Sequence, residues 1–166
     1  MAVNFCKKVI FVMGVSGSGK SSIGRLLAKA LSVSFIEGDD HHPVANIAKM
    51  SQGLPLDDDD REPWLHQLNQ VAINHLGEGC VISCSALKAK YRKQLSKGIS
   101  PHTEWIYLKG SYELIYKRMQ DREGHFMDPK MLQSQFDTLE EPQEAITIDI
   151  VDSPENIIQK IKLQVV

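Results

Sequence analysis

The residues with the most direct chemistry run from Gly14 to Ser22: Gly14, Val15, Ser16, Gly17, Ser18, Gly19, Lys20, Ser21 and Ser22. Gly14 to Ser21 matches G-x-x-x-x-G-K-[ST], a loop that wraps nucleotide phosphates. Its glycines let successive backbone N–H groups turn inward, and the helix that follows adds partial positive charge at its N-terminus. A lysine at position 20 reaches β- and γ-phosphate oxygens, and a serine hydroxyl at position 21 can ligate Mg²⁺. The dinucleotide fingerprint fails, because Ser22 stands where its third glycine belongs. The phosphate therefore belongs to a nucleoside triphosphate.

Kinases, mechanical ATPases and GTPase switches all use such a loop. The sequence contains no guanine-reading N-K-x-D. The D-x-x-G letters at 121–124 fall at a predicted helix end with no strand before them, and no acidic pair follows an apolar strand as a large ATPase requires. The remaining candidates gather near the ends of predicted strands. Asp39 stands just past the second, where a carboxylate can accept the proton of an attacking hydroxyl. Ser85 and Ala86, at the end of the third, are small enough for a ligand to approach the backbone. Arg118 and Arg122 lie one helical turn apart and can stack on a base or clamp phosphoryl oxygens. Ligands of open parallel sheets bind at the carboxyl ends of strands, so this grouping points to a second substrate beside the nucleotide.

These residues need a frame. The predicted strands are Val9–Met13, Val33–Glu37, Cys80–Ser85, Glu104–Lys109 and Ile146–Val151, alternating with helix-period segments. Ser21–Leu31 carries Ile23, Leu26, Leu27, Ala30 and Leu31 on one face. Further helices are predicted from Pro63 to near Gly77, over Ala86–Leu95, over Tyr112–Arg122 capped by Ser111, after Asp128-Pro129, and after Ser153-Pro154. Strand and helix in alternation mean a parallel sheet covered on both faces, an α/β domain. The acidic run Asp57–Asp60 suits a helix N-terminus, and Asp40 suits a cap for a helix beginning at Pro43.

Composition sets the limits. A chain of 166 residues, 42% hydrophobic and 24% charged, makes one domain with a single buried core. A net charge of −2 gives no electrostatic reason to expect nucleic acid or an anionic membrane. No apolar run approaches the ~20 residues of a membrane span, and no signal peptide precedes the first strand, so a cytoplasmic protein is expected. Cys80 and Cys84 lie about 13 Å apart along one strand, too far for a disulfide. The expectation is buried thiols in a reducing compartment. His66, His75 and His102 show no metal-ligand spacing.

Read in order, GVSGSGKS, GDDxHP, N-x-x-KM, G-x-PL-x-D-x-DR-x-PWL, CSALK-x-x-YR, GHF and SQF-x-x-LE-x-P span residues 13–142. Together they resemble the bacterial-type gluconokinases, which phosphorylate D-gluconate at its 6-hydroxyl with ATP. The resemblance implies a P-loop, nucleoside-kinase-like fold: a five-stranded parallel sheet in order 2-3-1-4-5 flanked by helices. It also implies one kinase domain over 1–166, with a mobile lid near 119–135 and a substrate-binding helical segment near 40–76. A homodimer using ATP and Mg²⁺ is implied as well.

Carried over by position, Asp39 would orient the 6-hydroxyl, with Lys20 and Arg122 completing the catalytic set. Arg61 and Lys49 would meet the gluconate carboxylate, by analogy with shikimate kinases. His42, Ser85, Lys88 and Arg92 would line the sugar-acid site. Arg118 would stack near adenine, and Arg122 and His125 would reach the phosphates from the lid. Gln135 stands where shikimate kinases place an arginine, so a neutral contact to sugar hydroxyls is expected there. His41 departs from the family, which usually has an apolar residue before its His-Pro, and it receives no role. The alternatives are a kinase for another small acid (5-keto-gluconate, idonate or shikimate) and a nucleotide-dependent regulator. Gln135 speaks against shikimate.

Overall fold

A computed structural model of the chain describes residues 7–122 and 128–165. Five strands, β1 (Val9–Met13), β2 (Ser34–Glu37), β3 (Cys80–Ser83), β4 (Thr103–Lys109) and β5 (Ile146–Asp149), form one parallel sheet in the order β2-β3-β1-β4-β5. The helices are α1 (Lys20–Leu31), α2 (Val44–Ser51), α3 (Asp58–Asn74), α4 (Ala89–Leu95), α5 (Tyr112–Gln120), α6 (Pro129–Thr138) and α7 (Pro154–Val165). Short 3-10 turns occupy Gly38–His41 and Ser100–His102.

Strand periodicity splits the core in two. In the central β1, Ile10 and Val12 face a cluster with Ile23 and Leu27 of α1, Ile115 of α5, and Ile157 and Ile161 of α7. Val9, Phe11 and Met13 face the other side, packing with Trp64, Leu65 and Leu68 of α3 and Tyr91 and Leu95 of α4. All five β1 side chains are buried, as a central strand covered on both faces must be. Cys80 and Cys84 are free and buried, and burial pushes both thiols up to about 12. Among the described residues, no helix is long and apolar enough to cross a membrane.

Several boundaries move from their predicted places. α3 starts at Asp58 rather than Pro63, because Asp57 forms a reciprocal capping box. Its Oδ1 accepts the Asp60 N–H at 2.8 Å, and Asp60 Oδ2 accepts the Asp57 N–H at 2.9 Å. Pro63 then falls inside the helix, on its exposed side. β3 ends at Ser83 and α4 begins only at Ala89, because Ala86 takes a left-handed conformation (φ 46°) that breaks the chain between them. Asp40 lies within the Gly38–His41 turn and does not cap α2, whose N-cap Pro43 has no side-chain cap bond. α5 ends at Gln120, two residues before Arg122, while its predicted Ser111 cap forms, accepting the Leu114 N–H at 3.2 Å.

Candidate active site

The carboxyl ends of β1, β2 and β3, neighbours in the parallel sheet, lie along one edge, and the phosphate loop runs from β1 into α1. Gly19, the α1 N-cap, holds φ at 95°, a left-handed conformation that favours glycine and points the first turn of the helix into the loop. The loop is tied down on two sides. The Gly14 N–H donates to the Ser85 carbonyl at 3.4 Å, linking it to the exit of β3. Gln135 of α6 accepts the Ser16 N–H through Oε1 at 2.7 Å and donates from Nε2 to Ser16 Oγ at 2.9 Å. The buried Ser18 hydroxyl has no hydrogen-bond partner among the described residues. Ser21 and Ser22 open the first turn of α1.

Lys20 donates to the Val15 carbonyl at 2.9 Å. Burial lowers its pKa from the ordinary lysine value, while Asp39, Cys84 and Glu37 are near enough to pull it back up. Lys20 follows β1 through the phosphate loop and Asp39 follows β2, so both stand at the carboxyl edge of the sheet.

Asp39 is placed by contacts around Gly38. A Cβ at Gly38 would lie 2.0 Å from the Ser83 carbonyl oxygen, so the turn presses backbone to backbone against β3. The Gly38 N–H donates to Ser83 Oγ at 3.3 Å, and Ser83 Oγ donates in turn to Glu37 Oε1 at 2.5 Å. From α3, the Trp64 indole N–H donates to the Gly38 carbonyl at 2.8 Å. With both sides of Gly38 held, the next residue is aimed outward: the Asp39 side chain is 78% exposed. His42 stacks on Trp64 at 4.0 Å and 17°, with Nε2 3.9 Å from Asp39 Oδ1. Burial pushes the His42 pKa down, Asp39 opposes that, and Arg61 adds to it.

The other candidates divide into two groups. Around the start of α3, Lys49 donates to Asp60 Oδ2 at 2.5 Å, which lifts its pKa. Arg61 donates to the Leu56 carbonyl at 2.5 Å and lies over the Tyr91 ring at 5.5 Å. Asp58 gathers Lys88 (3.3 Å), Lys90 and the Tyr91 hydroxyl, and those hydrogen bonds, led by Lys90 and Tyr91, hold its carboxyl far below the usual range. Lys88 is thus paired with Asp58 across the α3–α4 junction.

Arg92 serves the backbone. Its guanidinium donates to the carbonyls of Ala86 (2.8 Å), Leu87 (3.2 Å) and Glu140 (2.9 Å). Glu140 answers from the other side, accepting the Ala89 N–H at 2.7 Å and donating its own N–H to the Leu87 carbonyl at 2.8 Å. Arg118 donates to the Ile150 carbonyl at 2.6 Å, holding α5 to the loop after β5. Arg122 is exposed just beyond α5, and His125 lies outside the described residues. Among the described residues no group of three or more His, Cys, Asp or Glu could hold a metal ion.

Sequence reasoning therefore missed the groups that hold the candidates in place. Ser83 and Trp64 hold Gly38 just before Asp39, Asn46 lies against His42, and Gln135, expected at sugar hydroxyls, hydrogen-bonds the phosphate loop. Asn46 lies four residues after His42, but His42 is extended and precedes α2, so no helical spacing announces the contact.

A family model described as shikimate kinase matches residues 16–165. The thermosensitive gluconokinase of Escherichia coli strain K12 is 49% identical over 155 residues, covering 90% of this chain and 82% of that protein. A gluconokinase of Arabidopsis thaliana is 42% identical over 171 residues, covering 93% of this chain and 90% of that one. The crystal structure of a gluconokinase from Sinorhizobium meliloti 1021 superposes with a TM-score of 0.85 at 42% identity, covering 93% of this chain and 89% of that chain.

Proposed function

Given that this chain belongs to the gluconokinase family of P-loop kinases, we infer that it transfers the γ-phosphoryl group of ATP to the 6-hydroxyl of D-gluconate. The products are 6-phospho-D-gluconate and ADP. The observation that carries the reading is the placement of Lys20, at the start of α1 after the β1 loop, and Asp39, in the turn after β2, on the carboxyl edge of one parallel sheet. A phosphate-binding amine and a hydroxyl-orienting carboxylate on the same edge of the sheet are what an in-line transfer needs.

In this reading the 6-hydroxyl oxygen attacks the γ-phosphorus in line with the bridging oxygen, whose bond to phosphorus breaks as ADP leaves. Asp39 orients the hydroxyl and takes its proton. Lys20, with Arg122 from beyond α5, neutralises charge on the transferring oxygens. The unpaired Ser18 hydroxyl supports an oxyanion at the loop. The Ser21 hydroxyl, with the nucleotide's own phosphates, suits a hard cation such as Mg²⁺, which would supply further charge neutralisation. Arg118, braced on the Ile150 carbonyl, borders the adenine side, and Lys49, Arg61 and Lys88 border the acceptor side as the positive rim for its carboxylate. A homodimer in the cytoplasm, the single domain with its lid, and a role for His125 at the phosphates complete the proposal and rest on the family resemblance.

The test is a coupled ADP-release assay across gluconate, 5-keto-gluconate, idonate and shikimate. Turnover that depends on gluconate supports the reading. Turnover fastest with another acid reassigns the acceptor, and ATP hydrolysis indifferent to every acid removes the kinase.

A further inference from the structure

Asn46 is a buried polar residue on α2, 3% exposed, at a position no candidate role covers. Its Nδ2 donates to the Asp60 carbonyl at 2.8 Å and lies 3.3 Å from His42 Nδ1. A carbonyl oxygen only accepts, so the amide must turn its –NH₂ end that way. That group has two protons and accepts nothing. Its second proton is therefore directed at His42, and Nδ1 must offer a lone pair.

A neutral imidazole then carries its proton on Nε2, the nitrogen 3.9 Å from Asp39 Oδ1. The ring has little freedom to evade this assignment. Its side chain is 6% exposed and stacked face to face on Trp64, whose own N–H holds the Gly38 carbonyl.

We propose that Asn46 is a positioning residue that fixes His42 as the Nε2–H tautomer, so that the imidazole turns a donor toward the acceptor hydroxyl bound between it and Asp39. The other tautomer would set a lone pair against a carboxylate. With the proton on Nε2, the imidazole donor and the carboxylate acceptor, 3.9 Å apart and not bonded to each other, face one space. A hydroxyl oxygen at hydrogen-bonding distance from both closes a triangle on their 3.9 Å edge, accepting from one and donating to the other. The pair thus selects a group that is both donor and acceptor, and the proposal rests on the reading of Asp39 as the hydroxyl-orienting carboxylate.

Nitrogen-15 correlation spectra of histidine-labelled protein test the tautomer directly, without turnover. The groups facing the ring are Asp39 from its own turn, Asn46 from α2, and Arg61 and Trp64 from α3. The expected spectrum at pH 7 shows a protonated Nε2 and an unprotonated Nδ1; an Nδ1–H signal overturns the proposal even if no variant folds. Asn46→Asp replaces a donor by an acceptor and should lower kcat with gluconate by about 10²-fold while leaving the KM for ATP alone.

His42→Gln supplies the decisive background, because a glutamine amide has no tautomer to lose. There Asn46→Asp should cost little, and an equal loss in both backgrounds would reduce Asn46 to a packing role. Full kcat in Asp39→Asn, with the Nε2–H spectrum intact, would instead refute the role of Asp39 and leave the tautomer standing.

Discussion

Replacing Gly38 by alanine adds one methyl group at the tightest backbone approach in the site. The new Cβ would sit 2.0 Å from the Ser83 carbonyl oxygen, whereas even a close C···O contact needs about 3.3 Å. One backbone must retreat by more than about 1 Å, and neither can do so freely. β3 is an inner strand paired on both edges, and the turn is held by the Gly38 bonds to Ser83 and Trp64. The shift should therefore fall on the residue with least support, Asp39. Overpacking of this kind costs about 1–3 kcal/mol of stability. A misplacement of about 1 Å at a reacting group can cost on the order of 10²-fold in rate. The assay is steady-state ADP release with saturating ATP and gluconate, alongside ATP affinity by calorimetry and a urea melt. The expected result is a large fall in kcat, a modest fall in stability and unchanged ATP affinity, since the phosphate loop lies on β1. A folded Gly38→Ala protein with wild-type kcat would refute the claim that this contact places the carboxylate.

Lys20→Ala should abolish measurable turnover with gluconate. Asp39→Asn should cut kcat far more than it weakens ATP binding, and equal losses in both would remove its catalytic role. Gln135→Glu keeps an acceptor for the Ser16 N–H, but it loses the donor to Ser16 Oγ and adds a negative charge beside the phosphate loop. The KM for ATP should rise about tenfold, corresponding to ~1.4 kcal/mol, as read by ATP titration. Arg92→Leu leaves the carbonyls of Ala86, Leu87 and Glu140 without their shared donor. It should lower stability by about 1.5–3 kcal/mol in a urea melt. The Asp58 carboxyl is held below its ordinary value of 3.8 by Lys90, Tyr91 and Lys88, so its share of stability is present above that value and lost as pH falls beneath it. Urea melts should show wild type more stable than Asp58→Asn at pH 6, with the gap narrowing below pH 3.8, and a gap constant with pH would count against the linkage.

The phosphate loop was legible because its ligating groups are contiguous, and strand–loop–helix order restricts how such a stretch can fold. The sheet order required the family resemblance as well, since alternation of elements alone leaves several parallel arrangements open. What escaped was pairing at long range. Gln135 and Ser16 are 119 residues apart, and no local pattern says that this glutamine faces a backbone N–H. The resemblance sets Arg92 with Lys88 at the sugar-acid site, but nothing local announces the left-handed Ala86, which delays the helix and turns its carbonyl toward the guanidinium. The start of α3 was misplaced because two valid signals competed, a proline suited to a first turn and an Asp57–Asp60 box. The box prevailed by satisfying two backbone donors.

Glu140 engages the β3–α4 corner with its carboxylate, its N–H and its carbonyl at once. α6 therefore ends beside a knot of hydrogen bonds tied at the exit of β3. α6 is moored twice, by Gln135 on Ser16 and, just past its end, by Glu140 on the β3–α4 corner, so a displacement at one anchor is resisted at the other. A kinase moored in this way feels any movement of α6 at its phosphate loop and at the exit of β3 together.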